Sequence, residues 1–321
     1  MTAADGAVLK VGTRGSELAM AQCAALAKRF AGEVELVPIT TQGDTDRSSL
    51  QQIGGTGVFV SALRDALLDG TVDVAVHSLK DLPTGAAEGI ELAAISKRED
   101  ARDALVARDR LTFAQLPEGA KVGTGSPRRM AQLRAARPDL EVVDLRGNVP
   151  TRIARALGDA ETGEGADLDA VVLALAGLKR LGLDGKATDT LELIDFPTAP
   201  GQGALAVEIR AGDAAARKAV AKTDHAATRA AVEAERHVLA GLEAGCAAPL
   251  GAHAEVADGM LFLTASAYAT DGTQRLTASH AYTLDERTAA EYAEAARDVA
   301  ERAVDELMEA GAADLIHGSA G

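Results

Sequence analysis

Aromatic residues and cysteine are scarce in this sequence, and each shortage narrows what the protein can be. Aromatic residues make up 2% of the 321 positions and tryptophan is absent, so the cores must be built from alanine, valine, leucine and isoleucine. The two cysteines, Cys23 and Cys246, are too few for a disulfide scaffold, and neither has metal-ligand spacing. No apolar run approaches the roughly 20 residues that cross a bilayer. Because the first ten residues also lack the basic and apolar segments of a secretory signal, we expect a cytoplasmic protein.

Positive charge is also in short supply, but it is concentrated in one place. The chain carries 33 Lys and Arg against 48 Asp and Glu, a net charge of −15. This balance argues against nucleic acid and anionic membranes as partners. Between residues 121 and 155, however, 8 basic residues stand against 3 acidic ones. A basic island in an acidic protein indicates one specific acidic ligand.

The length and the order of the predicted elements indicate more than one domain. A chain of 321 residues exceeds one typical core, so we expect two or three domains. A strand at 8–12, a helix at 17–30 and a strand at 33–39 form a βαβ unit, which predicts a mainly parallel sheet. The charged run 97–100 and the breaker-rich segment 197–203 predict a crossing into a second domain and a return to the first.

The pattern changes after residue 224. A helix at 226–242 precedes three strands with hairpin signals at 257–259 and 271–272, and a long helix at 285–310 follows. This order predicts a separate α+β domain with antiparallel hairpins. The predicted domains are residues 1–98 with 201–221, residues 99–200, and residues 222–321.

The basic island begins with a strand, 121–123, that turns into a helix. Ser126 is a good N-cap and Pro127 suits the first helical position, while Arg128 and Arg129 occupy the first turn. A helix N-terminus with two arginines is suited to an anion. Arg14 and Ser16 follow the first strand in a similar way, although Ser16 could simply cap its helix and Arg14 could be solvated.

A second candidate region is 77–83, which follows the apolar strand 72–76. Open α/β sheets place their chemistry at the carboxyl ends of buried strands, which makes Asp81 a candidate. Asp81 could equally be a turn residue before Pro83, with Lys80 its solvated neighbour. Cys246 lies in a breaker-rich loop and could project into a cleft, whereas the mid-helix Cys23 is expected to be a buried hydrophobe.

Several segments, in one order along the whole chain, resemble motifs of the porphobilinogen deaminase family. They are GTRGS (12–16) with Gln22, VHSLKDLP (76–83), GTGSPRR (123–129), LRGNVPTR (145–152), AGLKR (176–180), PGQGA (200–204) and GC (245–246). The resemblance runs from about residue 8 to the last predicted helix. It implies an α/β fold with two lobes like those of type II periplasmic binding proteins, with mainly parallel mixed sheets, plus a C-terminal α+β domain with a three-stranded antiparallel sheet.

The resemblance also implies an activity. Such an enzyme is a transferase of tetrapyrrole and heme biosynthesis that joins four porphobilinogen molecules head to tail, losing ammonia at each step, and releases hydroxymethylbilane. The chain grows on a dipyrromethane cofactor, held by a thioether to Cys246. The protein would act on a small molecule as a monomer, without a metal, and one carboxylate, Asp81, would assist both proton transfers.

The family's binding residues match polar positions of this chain. Those expected to bind the cofactor, besides Cys246, are Ser78, Lys80, Thr124, Ser126, Arg128, Arg129 and Arg146. Those expected to bind the substrate are Arg14, Ser16, Gln22, Arg152, Arg180 and Gln202. Arginine suits this work because its planar fork stays charged and pairs bidentately with carboxylates, of which each porphobilinogen has two.

Two positions depart from the family pattern. Thr56 stands in the Gly-rich segment 43–57 where many members carry lysine, and Thr198 stands where proline is frequent. Two other functions remain open from the residues. A two-lobed carboxylate receptor would need neither the third domain nor Cys246, and a phosphate-transfer enzyme would need a Walker lysine pattern that the sequence lacks.

Overall fold

A computed structural model describes residues 8–40, 57–159, 163, 165–245 and 248–317. These residues form two five-stranded sheets and one three-stranded sheet. The predicted fold class, two α/β lobes and a C-terminal α+β domain, is confirmed. In the described part of the chain, no helix is both long enough and apolar enough to cross a membrane.

The first lobe has helices on both faces of a mixed sheet whose strand order is β2-β1-β3-β10-β4. Its strands and helices are β1 Leu9–Arg14, α1 Glu17–Ala27, β2 Val34–Ile39, α2 Gly57–Leu68, β3 Val74–Ser78, β4 Ile90–Ile95, β10 Leu205–Arg210 and α6 Ala214–Val220. Strands β1, β2 and β3 are parallel, and β10 runs antiparallel to both of its neighbours. Cys23 and Leu26 of α1 pack on one face of the sheet, and Leu63 and Leu67 of α2 pack on the other.

The second lobe repeats this plan with the order β7-β6-β8-β5-β9. Its elements are β5 Asp103–Ala107, β6 Lys121–Gly123, α3 Pro127–Ala136, β7 Glu141–Val143, α4 Val149–Leu157, β8 Ala170–Ala174, α5 Leu175–Arg180 and β9 Asp189–Leu191. In each lobe the antiparallel strand is the first one after a crossing. Because the parallel strands end at the cleft between the lobes, a strand that enters from the cleft must run the other way; Asp103 at the start of β5 accordingly pairs with Ala174 at the end of β8.

The C-terminal domain is a three-stranded meander with helices on one face. Its elements are α7 Ala226–Gly241, β11 Leu250–Ala257, β12 Met260–Tyr268, β13 Arg275–Thr283, α8 Ala289–Glu309 and α9 Ala312–His317. Alternate residues of β12, such as Leu261 and Leu263, enter a core formed with α7 and α8. The β11–β12 turn has the positive φ angles at Asp258 (49°) and Gly259 (77°) that a tight hairpin requires, as the Asp-Gly signal predicted.

Some predicted boundaries differ from the structure. The last long helix begins at Ala289 rather than near 285, because Thr288 caps it and the Glu291 carboxylate accepts hydrogen bonds from the backbone N–H groups of Asp285 and Glu286. The short edge strand β9 was not predicted. The domain boundaries at 98/99, 200/201 and 221/222 stay a prediction.

Candidate active site

The start of helix α3, which the sequence predicted to suit an anion, lies at the cleft between the lobes, because Arg129 reaches Gln202 of the return crossing and affects Lys80 of the first lobe. The Ser126 hydroxyl accepts a hydrogen bond from the Arg129 N–H, and Pro127 opens the helix. In the turn before the helix, Gly125 packs against the backbone of Leu145. A side chain has no space there, because a Cβ at Gly125 would stand 2.5 Å from the Leu145 carbonyl oxygen. Thr124 is fully buried, and its hydroxyl accepts from the Ser126 N–H. The backbone from which the two arginine side chains of the first turn extend is therefore held in place.

Arg128 and Arg129 both bind one carboxylate, that of Asp103 in the same lobe. Arg128 Nη2 is 2.8 Å from Oδ2 of Asp103, and Arg129 Nη2 is 2.6 Å from Oδ1. The side chains are 4%, 8% and 0% exposed, respectively. Although burial favours the neutral acid, the two guanidinium groups hold the pKa of Asp103 well below its usual range. Two buried cations on one buried anion leave a net positive charge.

Sequence reasoning missed Asp103. The only local signal is an acidic residue at the start of an otherwise apolar strand just after a crossing. This signal does not indicate which residues Asp103 pairs with. Arg128 is further occupied by the Gln132 side chain (2.7 Å) and the Pro197 carbonyl (2.9 Å). Gln132 in turn contacts the Tyr268 hydroxyl of the C-terminal domain at 3.4 Å.

Gln202, on the return crossing, joins the two lobes. Its Oε1 accepts hydrogen bonds from Lys80 Nζ (3.2 Å) and Arg129 Nη2 (3.3 Å). Its Nε2 donates to Asp103 Oδ1 (2.7 Å) and to the Ala101 carbonyl (2.6 Å). A primary amide has two donor hydrogens and two acceptor lone pairs, so its capacity is filled within the protein. Its predicted role in substrate binding stays a prediction.

Lys80 is held close to other cations. Part of its side chain is exposed, but burial of its ammonium group and the neighbouring Arg129 lower the pKa of Lys80 to about 8. Asp81 and Asp103 oppose this shift only in part. A carboxylate that binds beside Lys80 would raise its pKa again, because a nearby anion favours the charged form of lysine.

Asp81 ends a single 3-10 turn, Leu79–Asp81, at the carboxyl end of β3. The turn is restrained from two sides. The Leu79 N–H donates to the Ala204 carbonyl (3.0 Å), and Arg236 of helix α7 donates to the carbonyls of Leu82 and Pro83, both at 2.7 Å. Half-buried Asp81 is therefore presented on a rigid segment.

The cavity beside Asp81, which we call the Asp81 cavity, is lined by most of the polar residues predicted in the first lobe. They are Arg14, Ser16, Gln22, Ser78 and Asp81, and His77, which was not predicted, lines the cavity as well. The Ser78 hydroxyl donates to Gln22 Oε1 at 3.0 Å, and Gln22 is 6% exposed. Ser16 caps α1 by accepting a hydrogen bond from the Ala19 N–H at 3.4 Å, and it also lines the cavity, while its role in substrate binding stays a prediction.

A buried charged group lies beneath this cavity that the sequence analysis did not identify. His77 Nε2 is 3.1 Å from a carboxylate oxygen of Glu208, which Arg64 binds through two nitrogens. Burial alone would raise the pKa of Glu208, but His77 and Arg64 outweigh it and lower that pKa to about 2. Glu208 is therefore a carboxylate beneath the cavity.

Arg146 and Arg152 extend the cationic surface of the second lobe. Arg152 Nε donates to the Gly147 carbonyl at 2.8 Å. Burial, with Arg129 and Arg146 nearby, lowers the pKa of Arg152 to about 10. Buried Nε atoms of Arg129 and Arg146 also find no hydrogen-bond acceptor among the described residues. Crowded, desolvated cations with unused donors fit an anionic ligand with several carboxylates.

Arg180 lies apart from this cluster. Its guanidinium donates to the Gly203 carbonyl at 2.6 Å, and burial lowers the pKa of Arg180. It lines a second cavity that also includes Gln22. Cys23 is fully buried, as predicted, and burial raises the pKa of its thiol to about 12. Cys246 and Thr56 lie outside the described residues.

Comparison with known proteins adds the decisive observation. The dipyrromethane cofactor binding domain of porphobilinogen deaminase matches residues 9–218, and the C-terminal domain of the same family matches residues 229–303. The chain belongs to the porphobilinogen deaminase family. It is accordingly a transferase of tetrapyrrole biosynthesis with a dipyrromethane cofactor, as the motifs predicted.

The similarity to individual relatives extends over nearly the whole chain. A porphobilinogen deaminase from Leifsonia xyli is 60% identical over 315 residues, which are 96% of this chain and 94% of the relative. One from Thermobifida fusca is 52% identical over 96% of this chain and 95% of its own length. One from Cutibacterium acnes is 48% identical over 96% of both chains.

Proposed function

We propose that this chain condenses four porphobilinogen molecules head to tail into hydroxymethylbilane, with loss of ammonia at each addition, on a dipyrromethane primer joined to Cys246 by a thioether. The observation that carries the proposal is the meeting of Asp81 from one lobe with a cluster of cations from the other. When bound, the dipyrromethane supplies the pyrrole carbon to which the first substrate is joined.

The cationic cluster is suited to the primer's acetate and propionate groups. Arg146 and Arg152 offer guanidinium groups at one side of the cleft, and Lys80 offers an ammonium group at the other. Arg129 adds its charge and its Nε–H, because both of its Nη atoms are engaged by Val172, Asp103 and Gln202. Ser78, Thr124 and Ser126 would add neutral donors. Arg128, whose nitrogens are engaged by Asp103, Gln132 and Pro197, would act mainly by holding Asp103 and so fixing the position of Arg129.

Asp81 is assigned the proton transfers. One of its carboxyl oxygens would hand a proton to the departing amine of porphobilinogen and afterwards accept the proton that the attacking pyrrole carbon loses. Between these events the carboxylate would stabilise the positive charge that develops on the substrate ring. The restraint of the turn by Arg236 supports this role, because such a group must stay in place while ligands change.

The incoming substrate is assigned to the Asp81 cavity. Arg14 would pair with one of its carboxylates, and Ser16 and Gln22 would contribute hydrogen bonds from the same wall. Arg180 would serve carboxylates farther along the cleft. The domain boundaries given above, a cytoplasmic location and a monomeric state belong to the same proposal; the placement of β10 in the sheet of β1–β4 supports the boundary at 200/201.

The intact mass of the purified protein tests the proposal most directly. We expect the polypeptide mass plus that of two pyrrole units, and a Cys246→Ala protein without this addition. After brief exposure to porphobilinogen, further species should appear, spaced by one substrate less ammonia. A parent protein with neither the adduct nor the spaced species would instead be a carboxylate receptor, and the proposal would be wrong.

A further inference from the structure

A second cavity adjoins the crossing segments on the far side of Gln22. We call it the hinge groove, and its lining includes Gln22, Arg29, Lys97, Arg98, Glu99 and Arg180. Gln22 and Ala25 of α1, with Arg29 just beyond the end of that helix, form one wall, while the first crossing and Arg180 of α5 form the other. The groove holds about 430 Å³, within the range of roughly 300–1,000 Å³ usual for small-molecule sites.

The charge of the hinge groove is positive, although the chain as a whole is acidic. Arg29 and Lys97 are exposed, Arg180 is half-buried, and in the described residues none of the three has a carboxylate within ion-pair distance. The acidic residue of the groove, Glu99, is already paired with Lys179 at 3.0 Å. Glu99 also attracts Arg180, so among the described residues Arg29 and Lys97 are the cations of the groove whose charges are not balanced locally.

The hinge groove adjoins the Asp81 cavity, because Gln22 lies between them and lines both. This proximity matters for a polymerising enzyme, since every added ring brings two more carboxylates while the chemistry stays at Asp81. The cations around Lys80 and Arg129 are fewer than the carboxylates of a growing chain, which has two for every ring, and Asp103 already neutralises part of their charge. Rings that have left the reacting position need further cationic partners.

We propose that the hinge groove is a second carboxylate-binding subsite, in which Arg29 and Lys97, together with Arg180, bind the side chains of pyrrole rings during the later additions. This inference rests on the proposed function and extends it, because it assigns Arg29 and Lys97, which lie outside the family motifs identified in the sequence. The subsite takes acetate and propionate groups; it makes no covalent bond and moves no proton.

The test uses full-length, cofactor-loaded protein with Arg29→Glu and Lys97→Glu combined. Arg29→Glu is also made alone, and Lys28→Glu is its matched control, because it makes the same single charge reversal at the neighbouring exposed position but does not line the groove. After rapid mixing with limiting porphobilinogen, intact masses give the amounts of protein carrying one, two or three added units. The melting temperature of each variant is measured alongside, and Arg29→Gln with Lys97→Gln replaces the double variant should that one fail to fold.

We expect the first addition to proceed as in the parent, whereas the two- and three-unit species accumulate because later steps slow by roughly threefold to tenfold, the scale of two lost exposed ion pairs. Equal slowing of every addition, the same effect from Lys28→Glu, or no change in the distribution would each overturn the inference. A parent that forms no added species at all would instead count against the proposed function, so the two failures are distinguishable.

Discussion

Asp103 offers the sharpest test of how the candidate site is built. Asp103→Asn keeps the shape of the side chain but removes the charge that two buried arginines share. An asparagine amide can present its oxygen to only one side. Either Arg128 or the pair formed by Arg129 and Gln202 would then face an N–H group instead of an acceptor.

The size of the effect follows from burial. With Asp103 at 0% exposure and both arginine side chains at 8% or less, solvent does little to screen the unpaired charges. Removing one partner of such a buried pair costs about 3–5 kcal/mol. Asp100→Asn, in the same crossing, is the matched control, because its pair with Arg102 is 21% and 34% exposed and a pair of this kind contributes only about 0–1 kcal/mol.

Urea unfolding of purified protein measures this difference. Because the pKa of Asp103 is lowered in the folded state, its stabilisation is present above the unfolded pKa of about 3.9 and is lost as pH falls through the lower folded value. The gap between parent and Asp103→Asn should therefore be constant from about pH 5 to 8 and should narrow below about pH 4. A gap under about 1 kcal/mol at pH 7, or an equal gap for Asp100→Asn, would refute the reasoning.

Three further predictions concern the chemistry. Asp81→Asn should nearly abolish single-turnover ammonia release, whereas Asp81→Glu, displaced by roughly one methylene, should slow it on the order of 100-fold; ammonia release from Asp81→Asn at the parent's rate would make Asp81 a turn residue. Cys246→Ala should lack the cofactor by mass while Cys23→Ala, a change inside the core, keeps it. Lys80, with a pKa of about 8 before ligands bind, should take up a proton when the inactive Cys246→Ala protein binds porphobilinogen between about pH 8 and 10. Calorimetry in buffers of different ionisation enthalpy should detect this uptake, and its persistence in Lys80→Met would contradict the assignment.

Features set by neighbouring residues could be predicted from the sequence. The N-cap at Ser126 and the arginines after it belong to one turn, so their geometry follows from residues within four positions of each other. The Asp258-Gly259 hairpin is equally local, and its two positive φ angles follow from the residue types. The order of apolar elements also predicted a mainly parallel sheet and a C-terminal α+β domain with antiparallel hairpins, whereas the two-lobed architecture was implied by the resemblance of the motifs.

Contacts between distant parts of the chain were decided only by the tertiary structure. Nothing near Asp103 indicates that it meets Arg128, 25 positions later, or that Gln202, 99 positions later, hydrogen-bonds to the same carboxylate. The pKa of Lys80 depends on its burial and on the neighbouring cations, both of which result from the packing of the two lobes and cannot be predicted from a pattern in the sequence.

Gly272 illustrates both what the sequence predicts and what only the tertiary structure decides. Its residue type predicts a turn, but only the fold shows that a Cβ there would stand 2.6 Å from the backbone nitrogen of Ala135, because the hairpin of the third domain packs directly on the helix that carries the arginines.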